Sequence, residues 1–111
     1  MPINAKTLVE STFVSAALTT QYIVPVVATI IDKITAINHD TSAHTINVYL
    51  VPAGAPAGNE HLIVKAKTLQ PSETYTFPEI AGHILNTGDS IVTLGNVNDV
   101  MNFRVSGREI S

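Results

Sequence analysis

Asp32-Lys33-Ile34-Thr35-Ala36-Ile37-Asn38, the polar link His39-Asp40-Thr41-Ser42, and Ala43-His44-Thr45-Ile46-Asn47-Val48-Tyr49-Leu50-Val51-Pro52 form the stretch whose reading decides the fold. In its second half His44, Ile46, Val48 and Leu50 alternate with Thr45, Asn47, Tyr49 and Val51. Successive side chains of a strand point to opposite faces, so a period of two marks a strand with one buried side. The link is built from residues whose short polar side chains bond nearby backbone. The stretch predicts a β-hairpin, and the hairpin predicts a β-sheet protein.

Working outward, residues 18–24 alternate as a strand that Val24-Pro25 closes, because proline cannot donate to a ladder. Residues 29–38 lead into the hairpin, and residues 52–59, with two prolines and two glycines, read as a loop with no core-facing pattern. Residues 61–69 form a strand with Leu62, Val64 and Ala66 inward and Lys65 and Lys67 outward. Gln70-Pro71-Ser72-Glu73 is a turn, residues 74–77 a strand stopped by Pro78, and residues 80–85 a short apolar stretch with room for one turn of helix. Asn86-Thr87-Gly88-Asp89 turns into a strand over 90–94, Gly95-Asn96-Val97-Asn98-Asp99 turns again, and residues 103–106 close the fold ahead of a tail, 107–111. Residues 2–17 have no obvious partner in these hairpins; Asn4 ahead of residues 5–10 could start a short helix, but the β-branched residues favour an extended arm with one short strand. The expectation is an all-β, single-domain β-sandwich or jelly roll of about eight short antiparallel strands over 18–111, preceded by an arm over 1–17.

Composition narrows the function classes. A length of 111 residues suits one core. Charged residues make up 14% of the chain, against roughly 25% in an average soluble domain. A monomer uses charge to stay soluble and to blunt its sheet edges, so the deficit points to a homo-oligomer or a larger assembly. The net charge of −3 offers no basic face for nucleic acid. The absence of cysteine leaves no disulfide and no thiolate metal site. The apolar run over 23–31 is shorter than the ~20 residues of a membrane span and holds Pro25. The opening Met1-Pro2-Ile3-Asn4-Ala5-Lys6 lacks the basic-then-apolar layout of a signal peptide, so no targeting segment is expected.

Candidate chemistry is sparse. His39, Asp40 and His44 have ligand chemistry, but the histidines sit in a turn and at a strand start. Glu60, His61 and His83 follow no ligand spacing, so no metal site or cofactor is expected. Glu73, Glu79 and Asp89 are the carboxylates open to acid–base pairing, yet each lies in or beside a turn. No Gly-x-Ser-x-Gly elbow or phosphate loop is present, and no catalytic residue is assigned. Tyr22, Tyr49 and Tyr75, with the loop over 52–59, are the candidates for a sugar-stacking platform; the plainer reading places them half-buried in strands with the hydroxyl at the rim. The chain is expected not to be an enzyme.

Tyr49-Leu50-Val51-Pro52-Ala53-Gly54, Gln70-Pro71-Ser72-Glu73-Thr74-Tyr75, Gly82-His83-Ile84-Leu85-Asn86-Thr87-Gly88-Asp89-Ser90-Ile91 and Ser106-Gly107-Arg108-Glu109, with Ala5-Lys6-Thr7-Leu8-Val9-Glu10 and Leu18-Thr19-Thr20-Gln21-Tyr22 near the start, form a set of turn and strand phrases. The set resembles small virion structural proteins of tailed bacteriophages and prophages. The resemblance implies a virion protein, assembled in the host cytoplasm, whose partners are its own copies (a trimer is favoured) and other virion proteins such as the major capsid protein. Within that class a capsid decoration (cement) protein is favoured over a neck, tail or fibre-associated one, and the arm is expected to add to a neighbour's sheet. A carbohydrate- or receptor-binding module is the alternative from another class, and a small hydrolase using Glu73, Glu79 or Asp89 is the third.

Overall fold

The computed structural model of the protein describes residues 2–111. They form nine strands: β1 (Ile3–Phe13), β2 (Thr19–Ile23), β3 (Ala28–Asn38), β4 (His44–Val51), β5 (Leu62–Leu69), β6 (Thr74–Tyr75), β7 (Ile84–Asn86), β8 (Ser90–Gly95) and β9 (Met101–Ile110). The first sheet runs β1-β9-β3-β6, with β7 also paired to β3, and the second runs β2-β8-β4-β5. All the pairings are antiparallel. The fold is an all-β sandwich, as expected.

The period of two decides which side chains meet between the sheets. Along β9, Met101, Phe103, Val105 and Glu109 are buried, while Arg104 and Arg108 are exposed. Ile31, Ile34 and Ala36 of β3 and Ile46 and Val48 of β4 join them at zero exposure. Each buried Ile, Val, Met or Phe side chain among them contributes about 1.5–3 kcal/mol through burial. Phe77 plugs one edge of this core, fully buried against Tyr75 at 4.7 Å, and adopts φ of 46°. That left-handed backbone costs a bulky residue about 1–2 kcal/mol, which burial of the ring offsets.

Three expectations are corrected. The stretch over 32–52 is not a hairpin: β3 and β4 lie in different sheets, and the link carries the chain from one sheet to the other. Asn38 builds that corner. It is fully buried; its Nδ2 donates to the carbonyls of Ser42 (2.8 Å) and Leu69 (3.0 Å), and its Oδ1 accepts from the Asp40 amide (3.0 Å). Alternation identifies a strand with a buried face but not its neighbour, and β3 finds a longer partner in β9.

The arm and the tail are also strands, and they pair with each other. β1 runs along β9 from Ile3 opposite Ile110 to Phe13 opposite Asn102, so the segment expected to lack a partner in its own chain has one. Residues 107–110, read as part of a tail, continue β9 between β1 and β3. Gly107 is needed there for close approach: a Cβ would lie 2.3 Å from the Ile30 carbonyl oxygen and 2.8 Å from Leu8 Cδ1. Two smaller departures follow the same logic. Ala66 is exposed at φ of 49°, in a bulge where Lys65 and Ala66 of β5 face Asn47 of β4. The stretch over 80–85 forms turns that lead into β7.

Candidate functional site

Most of the polar residues singled out in the sequence serve local structure. His44 is buried, and its Nε2 lies 2.7 Å from Asp40 Oδ2. Hydrogen bonding from His44 and from the Thr41 amide lowers the Asp40 carboxyl below its ordinary value. His39 packs instead on Phe13, with ring centroids 5.6 Å apart. Among the described residues no three His, Asp or Glu side chains converge on a metal position. Glu73 Oε1 accepts from the Gln70 amide at 2.7 Å, and Asp89 accepts from the amides of Ala53 (3.0 Å) and Asn86 (2.8 Å). Glu79 accepts from the Tyr75 hydroxyl, and its carbonyl lies 3.1 Å from His83 Nε2. Glu60 and His61 form a single 3₁₀ turn over Asn59–His61 with no buried residue.

The three tyrosines go to separate places. Tyr75 is on β6 at the edge of the first sheet, with Lys67 Nζ 4.5 Å from its ring centre. Burial and its bond to Glu79 raise its hydroxyl above the ordinary value. Tyr49 is on the outer face of the second sheet, buried with Val51 and Val92. The loop over 52–59 is what covers it: Ala55 and Ala57, with Leu62 and Leu94, pack against this small outer core. The loop therefore has a core-facing pattern, carried by its alanines.

Tyr22 belongs to a polar clasp that sequence reading missed. Its hydroxyl donates to Glu109 Oε2 at 2.5 Å and lies 2.9 Å from Thr29 Oγ1, while Lys6 Nζ lies 3.3 Å from Glu109 Oε1. Burial first, and then the bond to Glu109, push the Tyr22 phenol up to about 12. The clasp ties β2 of the second sheet to β1, β3 and β9 of the first. Its sequence signal was the continued alternation of Phe103, Val105, Gly107 and Glu109.

Two surface features remain unexplained by the fold. At the end of the sandwich where β1 and β3 begin and β2 stops, Ile3, Ile23, Val27 and Ile84 are 55–64% exposed. Register places Ile3 beside Ile110, Ile110 beside Ala28, and Ile30 beside Ile84, so the first sheet carries an aliphatic surface there. At the other end of the same sheet lies a groove. Opposite Val105 and Phe103 of β9, β1 runs from Val9 to Thr12, one residue too many. Such a bulge disrupts the ladder and bends the strand. A hollow of about 320 Å³ lies here, lined by Ser11, Thr35, Ile37, Asn102 and Arg104. An adjoining hollow shares Ser11 and Asn102 and reaches Phe13, which is 49% exposed. Asn102 Oδ1 is buried with no hydrogen-bond partner, a deficit of about 1–3 kcal/mol. Only the pairing register brings these residues together.

No protein-family model matches the chain, and no curated protein sequence matches it. Among solved structures, "Structure of infectious bursal disease virus Gx strain" is similar at a TM-score of 0.40 and 15% identity, over 96% of this chain. The chain spans 31% of the length of that one. No helix among the described residues is long and apolar enough to cross a membrane.

Proposed function

We propose that the protein is a virion structural subunit that works by binding copies of itself, and within that class a capsid decoration protein. The observation that carries the reading is the aliphatic end of the first sheet, where Ile3 and Ile84 stand more than half exposed on the face that Ile110, Ala28 and Ile30 share. Apolar side chains gathered on one exposed face mark an interaction site, whereas singly scattered ones do not. The low charged fraction of 14% supports it, since a surface shielded by neighbours needs little charge. The resemblance of the turn and strand phrases to small virion proteins of tailed phages supplies the class.

The mechanism is mechanical. Subunits bury their aliphatic ends against one another, and stable interfaces of this kind cover roughly 800 Å² per partner. β1 is not available for exchange in this scheme, because β9 already pairs it and Val14 beyond it bonds Met101 and Asp99 through its backbone. The subunits meet instead as folded sandwiches, with no catalytic step. Light scattering behind a sizing column tests the reading. A trimer is expected; a ring of six or more would move the protein to the neck or tail, and a monomer at all concentrations would remove self-assembly.

A further inference from the structure

We propose that the groove between β1, β9 and β3 is a binding site for a saccharide that carries a carboxylate. Side chains from three strands line it, and their chemistry selects the ligand. Arg104 brings the only positive charge among the residues lining the two hollows, with no acid beside it there. Its Nη2 donates to Thr7 Oγ1 at 3.2 Å, and the remaining donors of the guanidinium form a planar fork suited to a carboxylate. Ser11 and Thr35 add hydroxyls, each able to donate and accept, as vicinal sugar hydroxyls require.

Asn102 stands between Phe13 and Ile37 in the register, an amide between two apolar side chains. Its Oδ1 lacks a donor in the fold itself. The terminal torsion of asparagine is soft, so rotation of the amide lets it meet a ligand hydroxyl in the groove. The Phe13 ring and Ile37 offer the flat apolar contact that a pyranose C–H face needs. The larger hollow, at about 320 Å³, lies at the small end of the range for small-molecule sites, roughly 300–1,000 Å³. The bulge that opens the hollow is the kind found beside functional sites, where it re-aims side chains.

Occupancy of this groove is independent of self-assembly, since the aliphatic surface is at the opposite end of the sheet. The test is a backbone-amide NMR titration of the full chain with sodium glucuronate, with methyl β-glucopyranoside and sodium acetate run alongside. Glucuronate should shift the amides of Phe13, Asn102 and Arg104 saturably, with a dissociation constant in the millimolar range, and the two controls should bind at least about tenfold more weakly. Arg104→Gln, an exposed change that leaves the core untouched, should weaken glucuronate by about tenfold with an otherwise unaltered spectrum. No saturable shift up to tens of millimolar glucuronate would overturn the site. Equal shifts with acetate would show that the ring contributes nothing, and equal shifts with the neutral glucoside would show that the carboxylate does not; either result also overturns it.

Discussion

The two sheets treat their outward apolar residues differently. On the second sheet Tyr49, Val51 and Val92 face away from the sandwich core, and the chain folds its own loop over them, so that none is more than 6% exposed. On the first sheet Ile3 and Ile84 also face away from the core, and no described residue covers them: they are 60% and 64% exposed. Both groups are aliphatic or aromatic, so water penalises their exposure alike. The difference is that one problem is solved within the subunit and the other is left for another molecule. The contrast locates an interface without a partner in view.

The contrast can be broken at several points. The largest effect is expected at the covered face: Tyr49→Ala empties the outer core and should lower stability by about 3 kcal/mol in urea unfolding. A loss below about 1 kcal/mol would mean the loop over 52–59 does not hold the tyrosine in solution.

The clasp beneath the open end should matter less. Tyr22→Phe removes a bond to the buried Glu109 carboxylate and should cost about 1 kcal/mol at neutral pH, at the low end because the phenol is only half-buried. It should also change the alkaline limb. The Tyr22 phenol titrates near 12 in the folded protein against an ordinary 10.0, so between those values the unfolded chain binds fewer protons. The contribution of the clasp is therefore complete below about pH 10 and is lost as pH rises toward 12. The difference in urea midpoint between the protein and Tyr22→Phe should shrink over that window, and a constant difference would contradict the clasp.

The smallest effect is expected at the open face. Ile84→Ala should leave the stability of the dilute protein within about 0.5 kcal/mol, because water already surrounds most of the side chain. A loss like that of Tyr49→Ala would show that the chain covers both faces after all.

Much of this was legible in the sequence, and the parts that were not share a cause. Alternation such as Ile46 with Asn47 and Val48 identified strands and their buried faces, and turn residues such as Gly88 and Pro71 separated them. What alternation does not encode is the neighbour. The stretch over 32–52 satisfies a hairpin and a sheet-to-sheet crossing equally, and the decision rests with the buried amide of Asn38, whose partners include Leu69, 31 residues away. The same limit hid the pairing of β1 with β9, and with it both the clasp and the groove. Lys6 and Glu109 are 103 positions apart in sequence and 3.3 Å apart in space. The local bonds of Asp40 to the Thr41 amide and of Glu73 to the Gln70 amide follow from turn chemistry, whereas the bond of Asp89 to the Ala53 amide, 36 residues away, and the burial of His44, a histidine expected to face solvent, do not.

The central claim is that the uncovered aliphatic end joins one subunit to another. It is tested most directly by measuring the solution mass of the protein beside that of a double variant, Ile3→Asp with Ile84→Asp, by light scattering over a range of concentrations. A multimer, a trimer first, is expected, falling to a folded monomer in the variant. The same mass for both proteins would contradict it, whether that mass is a monomer's or a multimer's.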